Sequence, residues 1–268
     1  MAKNDYAPKT GSKVKLREYD PDDKGGISKE DAVPEMLKLH ERLETLQEML
    51  YAQSKQALLI VLQAMDTGGK DGTVKSLFSG ITPSGLRVTS FKAPTAEELA
   101  HDFLWRVHQA APPKGYIGVF NRSHYEDVLI VRVNKLAPDK VWKKRYDQIN
   151  EFEQLLSDNG TRIVKFYLHI SKDEQKQRLL NRLNRPDKQW KFAVGDLPVR
   201  EKWDDYMAAY EDAITKCNTS AAPWVVVPAN HKWYRDLIVI RTVVNTLESM
   251  GLSYPPPEPG LDKVVIPD

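Results

Sequence analysis

Apolar residues fall along this chain in two rhythms. In ALLIVLQAM (57–65) they run together without alternation, ahead of a glycine-bearing turn and a helical pattern. Such a run reads as a strand buried on both faces, and strands of that kind belong to parallel sheets. LRVTSF (86–91), YIGVFN (116–121), RIVKFYLHI (162–170) and WVVVPA (224–229) supply four more strands. Elsewhere the spacing changes to three and four. Met36, Leu39, Leu43, Leu46 and Leu50 line one face of a long helix, opened by an S-x-x-D signal from Ser28 to Asp31. That stripe reads as core contact, with an oligomer interface as the competing use. Trp142, Tyr146, Ile149, Phe152 and Leu156 form a second stripe; Tyr234, Leu237, Ile240, Val244 and Leu247 form a third. Strands alternating with helices predict an α/β fold, a five-stranded parallel sheet covered on both sides to make three layers. Residues 1–27 are polar and turn-rich and read as an arm leading into one domain over 28–268. The tail segment YPPPEPG (254–260) reads as extended or irregular.

Composition narrows the class of protein without naming a function. The 268 residues can bury a sizeable core, and 41% apolar with 28% charged content belongs to a soluble globular chain. No apolar run approaches the roughly 20 residues of a membrane helix, and the first 13 residues carry no signal-type apolar segment. Cys217 is the single cysteine, which excludes an intrachain disulfide and fits a reducing cytoplasm. Six scattered His make a zinc cluster improbable. A net charge of +2 gives no reason to expect nucleic acid, so any grip on anions must come from Lys and Arg gathered locally.

One such gathering starts in QAMDTGGKDGTVKS (63–76), which nearly spells the phosphate loop G-x-x-x-x-G-K-[ST]. Ala64 stands at the first glycine position and Asp71 at the final hydroxyl position. The physics survives both changes. Gly68 and Gly69 let the backbone turn its N–H groups inward, and the following helix aims the positive end of its dipole at the same point. Lys70 supplies a point charge. Asp71 can ligate Mg²⁺, but it repels phosphate unless a metal lies between them. Asp66 adds a second acid beside the loop. The alternative is a plain strand-turn-helix connection, which the placement after the most apolar strand argues against.

Two further groups should stand nearby, because ligands of open α/β sheets bind at the C-terminal ends of strands. FNRSHYEDVLIVRV (120–133) places Arg122, suited to bidentate contact with phosphate, just after the third strand. Glu126 and Asp127 follow as metal-binding carboxylates or as acids complementing a helix start. His124 reads as a surface or packing residue. KDEQKQRLLNRLNRPDKQWKF (172–192) sets Arg178, Arg182 and Arg185 on one helical face, with Lys188 and Lys191 beyond Pro186. Such a face is either solvated or part of a helical lid, about 172–200, closing over a transferring phosphoryl group. SFKAPTAEELAHDF (90–103) adds Lys92, which holds acceptor phosphate or is an ordinary surface lysine, and a Thr95 cap answered by Glu98.

Taken together, LQAMDTGGKDGTVK, SFKAPT, FNRSHYEDVL, the Arg-rich segment and VPANHKWYRDL resemble the second polyphosphate kinase family, in order and spacing, from about Ser28 to Leu247. The NRSHYEDV form resembles its class III members, which phosphorylate nucleoside mono- and diphosphates from polyphosphate. The resemblance implies a thymidylate-kinase-like P-loop kinase fold with a lid. Position by position, it implies that Asp66 is a metal or acceptor-orienting carboxylate and that Lys70 contacts the transferring phosphate. Gly68, Gly69 and Gly72 would shape the loop, with Asp71 beside the phosphates. Arg122 would bind nucleotide phosphates, Asp127 would be the metal-binding acid after the third strand, and Arg178 and Arg182 would clamp from the lid.

The activity so implied is phosphoryl transfer between inorganic polyphosphate and adenine nucleotides, with guanine nucleotides as alternatives, using Mg²⁺ or Mn²⁺. A homodimer or homotetramer in the cytoplasm, binding neither nucleic acid nor membrane, completes the expectation. Composition and spacing alone leave two rivals, an ATP-dependent nucleotide or small-molecule kinase and a non-catalytic polyphosphate- or nucleotide-binding module.

Overall fold

The computed structural model describes residues 6–267, so the first five residues of the expected arm and the last residue of the chain lie outside the described residues. Each apolar run is a strand: β1 (Ala57–Gln63), β2 (Leu86–Ser90), β3 (Ile117–Asn121), β4 (Thr161–His169) and β5 (Trp224–Pro228). They form one sheet in the order β2-β3-β1-β4-β5, parallel throughout. β1 is buried at every position, as its unbroken apolar run requires, whereas β2 is an edge strand with exposed residues. The chain moves from β1 to one side of the sheet, then crosses back to the other, so the reversal point falls at β1. Register fixes what emerges there. Leu62 pairs with Asn121, and Asn121 with Ser90, so the loops after β1, β2 and β3 leave the sheet side by side.

The helices, in chain order, are α1 (Lys29–Gln53), α2 (Lys70–Leu77), α3 (Ala96–Ala100), α4 (Trp105–Ala110), α5 (Ile130–Val133) and α6 (Asp139–Asp158). They continue with α7 (Lys172–Leu183), α8 (Pro186–Gln189), α9 (Asp196–Glu201), α10 (Trp203–Lys216) and α11 (Lys232–Glu248). α11 packs along α1 and against α2, while α6 meets β4 and α5, and α5 meets α10. The Ser28 hydroxyl caps α1 by accepting from the Asp31 amide at 3.1 Å. Leu43, Leu46 and Leu50 are buried in the common core and Met36 and Leu39 pack against it, so the α1 stripe is spent within the fold. The described part of the arm also packs down. Val14 and Leu16 are buried, and the Tyr6 carbonyl accepts from the Val226 amide beside β5. Among the described residues, no helix is long and apolar enough to cross a membrane.

A buried polar cluster underpins the chain that follows β3. Lys165 of β4 is fully buried, and its Nζ donates to Glu153 Oε2 at 2.5 Å, Tyr125 Oη at 2.6 Å and the Cys217 carbonyl at 2.7 Å. Glu153 Oε1 accepts from Tyr125 Oη at 2.9 Å and stands 3.1 Å from His124 Nε2. His124 is therefore a packing residue. The short 3₁₀ turn His124–Asp127 is thereby fastened to β4 and α6. Removing one member of a buried ion pair strands the other, at about 3–5 kcal/mol. Lys165→Met is expected to lower the unfolding free energy by about that much in urea titrations, and Lys165→Met with Glu153→Leu to recover most of it. A single variant within about 1 kcal/mol of wild type would contradict this role for the pair.

Candidate functional site

The loop after β1 holds an unusual backbone. Thr67 has φ +63° and Gly69 +106°, the latter as the residue just before α2. Gly68 is needed for space and Gly69 for its backbone conformation. A Cβ on Gly68 would stand 2.8 Å from the Met65 carbonyl oxygen, and one on Gly69 would collide with the Arg235 guanidinium. No side chain caps α2, so its leading N–H groups remain available to an anion. Lys70, the first residue of α2, is 9% exposed and donates from Nζ to the Ala64 carbonyl at 2.9 Å. Burial pushes this lysine down to about 8, with Arg122 adding to the effect and Asp66, Glu126 and Asp71 opposing it.

A cleft of about 810 Å³ opens over this loop. Asp66, Lys70 and Asp71 line it from the loop and α2, and Lys92, Asn121 and Arg122 from the ends of β2 and β3. The segment spanning α7 to α9 contributes Arg178, Arg182, Lys188, Lys191 and Asp196, and α11 contributes Lys232 and Arg235. In all, nine Lys and Arg side chains meet four Asp and Glu there, in a chain whose net charge is only +2. Local potential of this kind concentrates anions in a cleft.

Every expected phosphate-binding residue lines this cleft, though several are already engaged by the protein. Arg122 sits at φ +60°, a left-handed conformation that costs a non-glycine residue energy and marks it as over-determined by its surroundings. Its Nη2 donates to Asp66 Oδ1, and its Nη1 lies 3.6 Å from Glu126 Oε2. Burial disfavours its charge, but Glu126 and Asp66 outweigh that and raise its pKa. Arg178 pairs with Glu174 at 2.7 Å, the ordinary helix pair, and also does more. Its guanidinium donates to the carbonyls of Thr67 and Gly68 at 3.0 and 3.2 Å and to those of Ala229 and Asn230 at 2.6 and 3.1 Å. It therefore ties the phosphate loop to the end of β5. Arg182 donates to the Lys191 carbonyl at 3.0 Å and lies 3.9 Å from Asp196, while Arg185 turns away to pair with Asp187.

Of the three expected metal acids, the structure brings only Asp66 to the cleft wall. Glu126 stands behind Arg122, as described above. Asp127 Oδ1 accepts from Arg145 at 2.8 Å, and the same guanidinium nitrogen donates to the Asp127 carbonyl at 3.1 Å. Burial raises the pKa of Asp127, with Arg145 and Arg106 working the other way.

Arg235 has no role in the sequence reading. It is 3% exposed, pairs with Asp236 Oδ1 at 2.6 Å and donates to the Gly69 carbonyl at 3.4 Å. One signal was available. Lys232 and Arg235 occupy the start of α11, which has no acid in its first turn, and cations there oppose the helix dipole unless an anion answers them.

Strand order and the glycine loop between β1 and α2 together place the chain among the P-loop kinases. Within that class it belongs to the polyphosphate kinase 2 family: the model described as Polyphosphate kinase 2 (PPK2) matches residues 26–254. It is 53% identical over 263 residues to the AMP/ADP-polyphosphate phosphotransferase of Meiothermus ruber, covering 97% of this chain and 98% of that one. The ADP-polyphosphate phosphotransferase of Rhodopseudomonas palustris is 48% identical over 238 residues, 84% of this chain and 82% of that protein. Among solved structures, polyphosphate kinase 2 from Arthrobacter aurescens TC1 superimposes with a TM-score of 0.91 at 45% identity, covering 95% of this chain and 92% of the other.

Lys70 keeps its charge below about pH 8 and loses it above, because its pKa is lowered to about 8. Affinity of the cleft for inorganic triphosphate should then fall by up to about tenfold per pH unit beyond that point. Calorimetric titration checks this, with Lys70→Ala reporting the ligand's own ionisation. A wild-type profile parallel to that of Lys70→Ala would contradict it. Gly69→Ala is expected to weaken triphosphate binding at every pH, since a side chain is strained at φ +106° and the loop must shift its course; unchanged binding would remove the conformational argument.

Proposed function

We propose that this protein transfers the terminal phosphoryl group of inorganic polyphosphate to AMP and ADP, reversibly, with Mg²⁺ as the metal and Mn²⁺ able to replace it. The observation that carries the reading is the gathering of nine Lys and Arg side chains, Lys70, Lys92, Lys188 and Lys191 among them, in the one cleft over the loop. Such a gathering suits a chain of phosphates crossing the loop. The names of the relatives from M. ruber and R. palustris point to the same donor.

No protein nucleophile is required. A terminal phosphate oxygen of the acceptor forms a bond to the end phosphorus of polyphosphate, and the bridging P–O bond behind that phosphorus breaks, leaving a shorter polyphosphate. The acceptor oxygen needs no strong base, so the protein contributes alignment and charge. Lys70 and the leading amides of α2 hold the transferring group. Arg122 holds nucleotide phosphate, and Lys92 reaches the acceptor side. Arg178 fixes the loop from the lid, and Arg182 exchanges its contact with the lid's own Asp196 for phosphate as substrate enters. Asp66 orients Arg122 and offers a carboxylate to the metal.

The donor set fits magnesium. It takes one or two carboxylates plus substrate phosphates rather than an all-protein cage, and Asp66 lines the cleft beside Lys70 to supply one. Held by Asp66 and substrate phosphate, the metal would supply positive charge against the phosphate oxygens. Glu126 and Asp127 act in this reading through the arginines they hold. A homo-oligomer working in the cytoplasm, with guanine nucleotides as further acceptors, completes the proposal.

Product analysis with long-chain polyphosphate or ATP as donor and AMP or ADP as acceptor tests it. ADP and ATP should form with polyphosphate, and Lys70→Ala should lower kcat by about 10²-fold or more. Transfer only from ATP would make the protein an ATP-dependent kinase. Tight binding of both ligands with no transfer would make it a binding module.

A further inference from the structure

We infer that the metal-holding carboxylate of this site has moved from the end of β3 to the start of α2, and that Asn121 is its positioning residue. P-loop enzymes share Mg²⁺ between a loop Ser or Thr hydroxyl and an acid beside the loop. Here the hydroxyl position is Asp71, and the residue ending β3, level with Leu62 of β1, is Asn121. The two meet directly: Asn121 Nδ2 donates to Asp71 Oδ1 at 2.6 Å. Among the described residues this is the only side-chain hydrogen bond that Asp71 makes, so its second carboxylate oxygen is left for another ligand.

The amide matters because two carboxylates at this distance would repel, and one would take up a proton. An amide beside a carboxylate keeps one full negative charge and fixes its direction. The acids further along the β3 loop do not line the cleft, Glu126 pairing with Arg122 and Asp127 with Arg145, whereas Asp66 and Asp71 both do. Two independent features mark the same wall of the cleft as built for a ligand. Lys70 has three donor hydrogens and one acceptor, the Ala64 carbonyl. Thr67 is 8% exposed, and its Oγ1 has no hydrogen-bond partner among the described residues. Asp71 would thus hold the metal together with Asp66, both lining the cleft, and a cation bound there would offset the repulsion between an acid in the loop and phosphate.

This inference rests on the metal dependence in the proposed function, not on the choice of donor. Its test is Mn²⁺ binding to the protein with ADP, followed by the electron paramagnetic resonance of free Mn²⁺ with no polyphosphate present. Asp71→Asn should weaken Mn²⁺ binding about tenfold or more, and Asn121→Ala by about tenfold. ADP affinity without metal should change less than about twofold in Asn121→Ala. The exchange variant, Asp71→Asn with Asn121→Asp, puts the carboxylate back on β3 across the same hydrogen bond and should recover binding to within about threefold. Asp127→Asn should bind Mn²⁺ within about twofold of wild type. Unchanged affinity in Asp71→Asn, no recovery in the exchange variant, or loss of Mn²⁺ binding in Asp127→Asn would each overturn the assignment. If polyphosphate proves not to be the donor, these affinities should still come out as stated.

Discussion

Crowding of like charge at the ends of β1 and β3 is the constraint on which this structure turns. Nine cationic side chains line one cleft of a nearly neutral chain, and in the absence of phosphate each must be kept from its neighbours. The protein does so by lending partners. Arg122 is held by Asp66 and Glu126, Arg235 by Asp236, Arg178 by Glu174 and four loop carbonyls, and Lys70 by the Ala64 carbonyl. Most of these are backbone oxygens or acids at the edge of the cleft, so phosphate can compete for the cations without unfolding anything. Pre-paid charge and fixed geometry are what phosphoryl transfer asks of a protein, because the chemistry itself needs little covalent help.

The rest of the architecture serves that crowding. Parallel strands bring three loops to one edge, and the reversal of strand order at β1 opens the crevice between them. The two left-handed residues other than glycine in these loops are Thr67, four residues beyond β1, and Arg122, directly after β3. The buried Glu153–Lys165–Tyr125 cluster fastens the segment that carries Arg122 to the sheet. Strain at the loops is thus opposed by polar anchoring beneath them.

Much of this was legible in the sequence. Each strand falls within two residues of its predicted run, and the four apart from the edge strand β2 are buried at nearly every position, which their composition cannot hide. Gly68, Gly69, Lys70, Arg122, Arg178 and Arg182 could be placed in one cleft from motif spacing and the strand-end rule. Partner choice could not. That Asp127 would be held by Arg145, or that Arg178 would stitch the loop to the end of β5, depends on contacts between residues 18 to 111 positions apart. No local pattern records those. Asn121 was missed for the same reason, closing a strand and defined only by what it meets, whereas Arg235 left one local trace, a second cation at the start of a helix with no acid in its first turn.

The central claim is that the cleft over Gly68–Lys70 holds the end of a polyphosphate chain. A crystal structure of the Lys70→Ala variant cannot decide it, but one of the wild-type protein with polyphosphate and ADP can. The account predicts a terminal phosphate at hydrogen-bonding distance, about 3 Å, from Lys70 Nζ and the leading amides of α2, with the chain continuing toward Lys188 and Lys191. A polyphosphate chain bound along any other surface, with ADP phosphates occupying the loop, would contradict it.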